Sequence, residues 1–395
     1  MRMWKATSAL VGLLLAGVAA TPAHAQTIRE QQWHLDAMKA DDIWKISTGE
    51  GVTVAVIDGG VGRIPELEGQ VLPGKDFAAG QTGYEGDERN DYNKHGTGIA
   101  AVIAGSGKHP SGDGAYGLAP GAKILPIRVP LDLSPSTPTW VSAIRYAADS
   151  NAKIINISLG VEGSAKDDLA RSEAVKYALS KGKLIFAAVG NDGNTTNWVE
   201  YPGATPGVVG VGSVGPDGGA AKQSQHGPQV DLSAPGVDIV TACAGKTELC
   251  KSSGTSDATA LTSASAALLW SVHPTWTNNQ ILRVLLNTAG KPVDGVERND
   301  YIGYGVVRPR VALPTPGDPG PPDVYPLPDL AAAAAKDTPV PSTGGKITPS
   351  QAPHAAPAVD KGDGSSWTWI ALGLGACVLI GGAVTAVVVR RAANR

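Results

Sequence analysis

The sequence predicts an α/β protein with a doubly wound, mainly parallel sheet and helices on both faces. Five short stretches rich in Val, Ile and Ala lack polar alternation, and helical stretches separate them. Continuous apolar strands are typical of parallel sheets that are buried on both faces. Alternation with helices implies right-handed crossovers, which give a doubly wound sheet.

The elements follow from these patterns in chain order. The expected strands span residues 51–58, 122–129, 152–159, 183–190 and 207–214. The expected helices span residues 95–104, 139–149, 165–180 and 277–288, together with an Ala-, Ser- and Thr-rich helix that follows a Gly-Thr-Ser turn within 252–270. Thr277 is suited to cap the last of them. In such a sheet the ligand site lies beyond the carboxyl ends of the strands.

Both ends of the chain carry apolar segments. Residues 1–25 have a basic start, an apolar run and Ala-His-Ala before residue 26, which indicates a cleaved export signal; an uncleaved anchor is the alternative. Residues 367–389 are long enough to span a bilayer, and the arginines in residues 390–395 indicate a cytoplasmic tail. We therefore expect one C-terminal transmembrane helix in the cell membrane and an extracellular main domain.

Three further segments lie between the two ends. Residues 26–47 are expected to form an N-terminal extension that packs on a main domain at 48–312, and residues 313–364, rich in Pro and Ala, to form an extended linker. The extension is expected to bury Trp33, Leu35, Met38 and Trp44.

Cysteine usage agrees with an exported domain. Cys377 lies in the expected membrane segment, which leaves Cys243 and Cys250 in the exported part. An oxidising compartment permits a disulfide between them, which we expect; two free thiols are the alternative.

Four polar residues stand where predicted strands end or helices begin. Asp58 ends the first strand, Asn191 follows the fourth, and His95 and Ser256 lie at helix starts. Taken singly, the Asp and Asn suit turns, the His suits a structural role and the Ser suits an N-cap. Together they place a carboxylate, an amide, an imidazole and a hydroxyl at the edge of the sheet where the ligand site of such a fold lies.

These four groups match the needs of acyl transfer. Ser256 becomes a nucleophile when a base takes its proton, His95 is the histidine placed to do so, and Asp58 would fix the imidazole tautomer. The Asn191 side chain and the Ser256 backbone N–H, at the positive end of a helix, would hold the oxyanion.

The chain resembles the subtilisin-like serine proteases in five stretches. They are VAVIDGGVG, HGTGIA, NISLG, AAVGN and SGTSDATA, in order within residues 51–290. The resemblance implies a subtilisin-like fold and an Asp–His–Ser triad formed by Asp58, His95 and Ser256. It also implies a peptide cleft in which the substrate adds as a strand. The cleft edges would be Ser158, Leu159 and Gly160 on one side and Ala188, Val189 and Gly190 on the other.

The order of the segments looks most like the mycosins, membrane-anchored proteases of type VII secretion systems. This similarity implies a protein or peptide substrate and partners in a secretion complex at the membrane. The alternative is a scaffold of that complex with weak or dispensable proteolysis. The net charge of −3 and the lack of a basic run argue against nucleic acid. A cell-wall hydrolase is disfavoured because the site lacks two facing carboxylates.

Some residues depart from the family pattern. Gly59 stands where Thr or Ser is usual, Ala260 where Pro is usual, and Asp257 follows the nucleophile, where apolar residues are usual. Glu200 matches the floor of the primary specificity pocket, which predicts a preference for Lys or Arg before the scissile bond; an exposed loop glutamate is the alternative.

No cofactor is expected. Structural calcium at the acidic loop before His95 is the alternative, and no ligand spacing supports it. The loop residues in question are Asp87, Glu88 and Asp91.

Overall fold

The computed structural model describes residues 26–131, 138–166, 168–244 and 249–337. The expected signal at 1–25 and the expected membrane segment at 367–389 lie outside these ranges. Within them, no helix combines the length and apolar character needed to cross a bilayer.

Seven parallel strands form the central sheet, in the order β2-β3-β1-β4-β6-β8-β9. Two antiparallel pairs, β5 with β7 and β10 with β11, lie apart from it. The strands are β1 (Thr53–Asp58), β2 (Lys75–Asp76), β3 (Lys123–Arg128), β4 (Ile154–Ile157), β5 (Val161–Glu162), β6 (Leu184–Ala188), β7 (Glu200–Tyr201), β8 (Val209–Val214), β9 (Leu232–Pro235), β10 (Ile239–Ala242) and β11 (Leu249–Ser252).

The helices in the described ranges complete a doubly wound fold. They are α1 (Ile28–Gln31), α2 (Trp33–Ala37), α3 (Ala40–Ile43), α4 (His95–Ala104), α5 (Pro138–Asp149), α6 (Leu169–Ser180), α7 (Thr255–Val272), α8 (Asn278–Thr288), α9 (Pro309–Ala312) and α10 (Asp329–Asp337). The predicted parallel α/β architecture is confirmed. Strands β2 and β9 extend the sheet beyond the five predicted strands, and both are too short to give a clear apolar pattern.

Successive side chains of the sheet enter two separate cores. Val54 and Val56 of β1 pack in the core that includes α4, α7 and α8, whereas Ala55 and Ile57 pack in the core that includes α5 and α6. This alternation follows from the strand geometry, in which neighbouring side chains point to opposite faces. Burial of both faces explains why the strand sequences show no polar alternation.

Helix α7 runs through the larger core and is buried from Thr255 to Trp270. Its hydroxyls do not go unpaired there: Thr259, Thr262 and Ser265 each donate to the carbonyl four residues earlier, at 2.7–2.9 Å. Small side chains with internally satisfied hydroxyls allow this helix to pack deep in the molecule and present its first turn at the sheet edge.

The N-terminal extension packs against the main domain. Leu35 and Met38 are buried, whereas Trp33 and Trp44 are half-buried. Each indole N–H donates to a backbone carbonyl of the main domain, Trp33 at 3.0 Å and Trp44 at 2.8 Å. Tryptophan at the edge of a core usually buries part of its ring and pairs its indole N–H with a hydrogen-bond acceptor.

The first part of the expected linker is packed rather than extended. Leu313 and Leu327 are buried, and Arg283 of α8 donates to the carbonyls of Pro319 and Pro321 at 2.6 and 3.0 Å. Proline lacks an N–H but keeps its carbonyl, so donors on α8 can hold a proline-rich segment. The prediction of a linker that begins at residue 313 is therefore wrong for this part, because long-range hydrogen bonds fix it.

Cys243 and Cys250 form the predicted disulfide, with Cα atoms 5.8 Å apart. The bridge closes the β10–β11 hairpin, whose last residue, Ser252, lies three residues before the start of α7. The crosslink therefore restrains the chain immediately before Ser256.

Candidate active site

Asp58 and His95 form a hydrogen-bonded pair at the carboxyl end of β1. Asp58 is fully buried, and His95 Nδ1 lies 2.9 Å from each of its carboxylate oxygens. The Gly59 N–H also donates to Oδ1, at 2.7 Å. With Nδ1–H directed at the carboxylate, Nε2 is the ring nitrogen that can accept a proton.

The start of α4 fixes the position of His95. Asp91 accepts the Thr97 N–H at 2.7 Å and so satisfies one of the unpaired donors of the first turn. Gly96 permits the close approach of the helix to β1, because a Cβ atom there would lie 2.2 Å from the Gly60 carbonyl oxygen. The helix can therefore place its first residue directly over Asp58.

The surroundings make His95 a stronger base than a free histidine. Burial alone lowers the pKa of His95, but the charge and hydrogen bond of Asp58 and the charges of Asp257 and Asp91 together raise it to about 9. About a third of the side chain, 34%, remains exposed, so the ring is reachable from solvent.

Ser256 is the second residue of α7 and lies against the end of β4. Its hydroxyl donates to the carbonyl oxygen of Ser158 at 2.9 Å, and the Ser158 hydroxyl donates to the Ser256 carbonyl at 3.0 Å. The structure thus brings together Ser158 and Ser256, and separately Asp58 and His95. The Ser256 hydroxyl points to Ser158 rather than to the imidazole.

Asn156 supports this junction and was not singled out from the sequence. It is buried in β4, donates to the Ser158 hydroxyl at 3.0 Å and accepts from the Ser263 hydroxyl of α7 at 2.9 Å. A polar residue in an otherwise apolar strand is the signal that identifies it in retrospect.

Asn191 follows β6 and bonds to the start of α7. Its Oδ1 accepts the Thr255 backbone N–H at 2.9 Å and the Thr255 hydroxyl at 3.3 Å. Because the oxygen of the amide is committed to Thr255, the Nδ2 group is the part of the side chain left to donate elsewhere.

Glu200 lies between the two chain segments that the resemblance assigns to the cleft edges. A Cβ atom on Gly160 would lie 2.2 Å from Glu200 Oε2, and one on Gly190 would lie 2.5 Å from Oε1. Glycines at these positions therefore leave the space that the carboxylate fills. Leu159 is half-buried, and Ala188 and Val189 are buried at the end of β6.

A buried amide holds the Glu200 carboxylate. Gln225 is fully buried and its Nε2 donates to Glu200 Oε1 at 2.8 Å. Burial, with a further contribution from the charge of Asp192, raises the pKa of Glu200 to about 7. Gln225 could not be identified from the sequence, because it lies 25 residues from Glu200 along the chain.

The carboxylates of the acidic loop before His95 accept hydrogen bonds from backbone N–H groups of the protein. Asp87 accepts the Arg89 N–H at 2.9 Å, Glu88 accepts the Gly74 N–H at 3.3 Å, and Asp91 caps α4. Across the described ranges, no three His, Cys, Asp or Glu side chains are grouped in a way that could hold a metal ion.

The chain is similar to three known proteins. Subtilisin E of Bacillus subtilis (strain 168) is 33% identical over 269 residues, which are 67% of this chain and 66% of that protein; the chain thus spans slightly less than two thirds of its length. The crystal structure of MycP1 from the ESX-1 type VII secretion system matches with a TM-score of 0.64 at 28% identity, over 76% of this chain and 90% of that one.

The third comparison is with a protein in an assembly. A chain of the periplasmic assembly from the ESX-5 inner membrane complex matches with a TM-score of 0.61 at 27% identity, over 88% of this chain and 92% of that one. The Subtilase family (Peptidase_S8) matches residues 49–305, a range that contains Asp58, His95, Asn191 and Ser256. This chain therefore belongs to the subtilase family.

Proposed function

We propose that the protein is a membrane-anchored extracellular serine endopeptidase that acts through an acyl-enzyme. The observation that carries this proposal is the bond between His95 and the buried Asp58, in a chain whose serine at the start of α7 lies within the residues that the family matches. In this role Asp58 orients the imidazole and stabilises its protonated form, and His95 takes the proton of Ser256.

The reaction would proceed in two halves. Ser256 Oγ attacks the peptide carbonyl carbon while His95 Nε2 accepts its proton, and the same proton then passes to the leaving amine. Water then gives its proton to His95 and attacks the ester, and His95 returns that proton to Ser256 Oγ as the acid is released. Both tetrahedral intermediates carry an oxyanion, which the Asn191 Nδ2 group and the Ser256 backbone N–H at the helix start would stabilise.

Substrate binding would redirect the nucleophile. The Ser256 hydroxyl donates to the Ser158 carbonyl, which is also an acceptor that a peptide added along this edge would use. A substrate N–H that pairs with Ser158 would displace the hydroxyl and leave it to donate to His95. Catalytic hydrogen bonds commonly tighten in this way only when substrate is bound.

Glu200 would select the residue before the scissile bond. Its half-buried carboxylate lies between Gly160 and Gly190, and a cationic Lys or Arg side chain would find there a charged partner with little competing water. We therefore propose a preference for basic residues at this position.

The first experiment is labelling with a fluorophosphonate probe. The detergent-purified protein is compared with Ser256→Ala and His95→Ala. Labelling that is lost in both variants supports an activated Ser256. A folded wild-type protein that does not react at any pH between about 6 and 10 would contradict the proposal, since phosphonylation needs only the nucleophile, the base and the oxyanion site.

A second candidate function is a scaffold in a type VII secretion complex. It is favoured by the match to the ESX-5 assembly, which covers 88% of this chain and so reaches beyond the residues 49–305 of the protease family match. The readout is secretion in cells that carry Ser256→Ala. If secretion is lost when the protein is deleted but continues in Ser256→Ala, secretion depends on the scaffold and not on proteolysis. Unprocessed cargo in the same Ser256→Ala cells would show that the protein acts as a protease as well.

A further inference from the structure

Gln32 is a fully buried amide in the N-terminal extension, at the junction of α1 and α2. Its Nε2 group donates to two carbonyl oxygens of the main domain, that of Tyr116 at 2.7 Å and that of Val240 at 3.1 Å. Its Oε1 accepts the backbone N–H of Tyr116 at 3.0 Å. One side chain of the extension thus joins two segments of the main domain that lie far apart along the chain.

The first of these segments is fixed to the end of α4. Just after Tyr116, the N–H groups of Leu118 and Ala119 donate to carbonyls in the last turn of α4, at 3.0 and 2.8 Å. Helix α4 begins with His95. The Tyr116 side of the bridge is therefore attached to the helix that carries the proposed base.

The second segment leads into α7. Val240 lies in β10, opposite Lys251 of β11, and the disulfide between Cys243 and Cys250 closes this hairpin. Helix α7 begins shortly after β11 ends, and Ser256 is its second residue. The Val240 side of the bridge is therefore attached to the chain that enters the helix of the proposed nucleophile.

Helix α4 and strand β10 also approach each other at Gly98. A Cβ atom on Gly98 would lie 3.8 Å from Thr241 Cγ2, which is ordinary van der Waals contact. Such contact has no strong directional preference, so it does not by itself fix how the two elements lie along each other. Hydrogen bonds require a narrow range of distances and angles, and Gln32 supplies them to both sides.

We propose that Gln32 is a positioning residue of the active site: its bonds to Tyr116 and Val240 hold the helix of His95 and the hairpin before Ser256 in one fixed arrangement. The inference rests on the proposed function, in which His95 activates Ser256. Proton transfer requires the base within hydrogen-bond reach of the hydroxyl, and a misplacement of about 1 Å can lower a rate by about 10²-fold. The extension would thus support catalysis without contributing a group to the reaction.

The test is fluorophosphonate labelling of the full-length protein in detergent, with Gln32→Met as the variant. Methionine is similar to glutamine in length, but its thioether cannot donate a hydrogen bond. At saturating probe the maximal labelling rate of the folded variant should fall by about 10- to 100-fold. The probe concentration at half the maximal rate should not change, because Gln32 lies in the extension and not in the cleft. The pH dependence should not change either, because the bond between Asp58 and His95 remains.

Trp44→Phe is the matched control. It removes the indole donor to the Leu118 carbonyl, a bond of 2.8 Å from the same extension to the same segment after α4, but it leaves the bond to Val240. Thermal unfolding curves identify a temperature at which both variants are folded, and the rates are compared there. Trp44→Phe should label at the rate of the wild type. An equal loss in the two variants, or an unchanged rate in folded Gln32→Met, would overturn the inference and leave the proposed function standing.

A second measurement does not depend on catalysis. In Ser256→Ala protein, the amides of β10 should exchange with solvent faster when Gln32→Met is added and at an unchanged rate when Trp44→Phe is added, because Gln32 is the residue that ties β10 to α4. Should Gln32→Met not fold, Gln32→Asn takes its place in both experiments, since its amide is one methylene too short to reach both partners. Equal exchange of β10 with and without the Gln32 substitution would overturn the inference. Failure of the wild-type protein to react would count against the proposed function, and the exchange rates would still decide whether Gln32 holds β10.

Discussion

His95 Nδ1 lies 2.9 Å from both carboxylate oxygens of Asp58, a residue with no exposed surface. The contact joins the carboxyl end of β1 to the first residue of α4. It commits one ring nitrogen to the carboxylate and leaves the other as the nitrogen that can accept a proton. The chemistry proposed for Ser256 depends on this tautomer.

Asp58→Asn should therefore lower the rate of Ser256 labelling on the order of 10⁴-fold, because an amide no longer fixes the tautomer or stabilises the imidazolium. The measurement is the labelling rate at pH 9 beside a thermal unfolding curve. Asp41→Asn, which removes a carboxylate that is 72% exposed, is the control and should react like the wild type. A loss of less than tenfold in folded Asp58→Asn would contradict the assignment.

Asn191 is proposed to stabilise the oxyanion with its Nδ2 group, and two variants separate this role from its bond to Thr255. Asn191→Ala should reduce kcat by about 10²–10³-fold with little change in KM, because the donor acts mainly in the transition state. In the wild-type protein Asn191 Oδ1 accepts the Thr255 N–H at 2.9 Å. Asn191→Asp keeps an oxygen that can accept this bond but lacks the Nδ2 donor. It should lose at least as much activity. Recovery in Asn191→Asp would show that the bond to Thr255 is what matters.

Glu200 should make the preference for basic residues depend on pH. Its pKa of about 7 means that the empty pocket gains a negative charge as the pH rises through neutrality. The ratio of kcat/KM for peptides with Arg and with neutral citrulline before the scissile bond should rise over this range. The ratio cancels the ionisation of His95, which acts equally on both peptides.

Glu200→Gln should abolish that rise and lower the Arg preference by roughly tenfold or more, as expected for loss of a charge-assisted hydrogen bond. Glu173→Gln is the matched control, since Glu173 is an exposed carboxylate on α6 that pairs with Lys176. A preference that is equal in wild type and Glu200→Gln would assign the carboxylate to structure alone.

Much of this site follows from local sequence patterns. The helix from His95 to Ala104 has its predicted bounds, and Thr277 caps α8 through a capping box with Gln280, as the pattern of Thr before a helical stretch indicates. Asp58 and Asn191 are located at strand ends by the apolar runs before them. These features depend on residues a few positions apart, so the sequence reveals them.

Contacts between distant residues could not be predicted in this way. Gln225 donates a hydrogen bond to Glu200, and Arg283 donates one to the segment after residue 313. Both bonds join parts of the chain whose relative positions the sequence patterns do not indicate. The Ser256 hydroxyl donates to the Ser158 carbonyl, a direction that the sequence does not indicate. Packing at the end of β4 determines this direction, because Asn156 and Ser158 bond there to α7.

Two aspartates from distant parts of the chain, which the sequence did not reveal as neighbours, accept hydrogen bonds from the start of β8. Asp231 is half-buried just before β9 and accepts the Gly210 N–H at 2.9 Å, while Asp329 accepts the Gly207 N–H at 2.6 Å. Burial raises the pKa of Asp231 to about 8, and the charge of Asp329 adds to this rise while Arg298 opposes it. Burial also raises the pKa of Asp329.

These shifts predict that the folded protein loses stability as the pH rises. Asp231 loses its proton near pH 4 when unfolded but only near pH 8 when folded, so between these values the unfolded chain binds fewer protons and unfolding becomes more favourable.

The variant Asp231→Asn removes this charge, and its side-chain oxygen can still accept the Gly210 N–H. At pH 8.5 it should raise Tm by roughly 2–4 °C for each kcal/mol that it adds to the free energy of unfolding, and at pH 4 it should change Tm little. Thermal unfolding at both pH values measures this, with Asp323→Asn, an exposed carboxylate of the same segment, as the control. An equal change in Tm at the two pH values would show that Asp231 acts through packing and not through its charge.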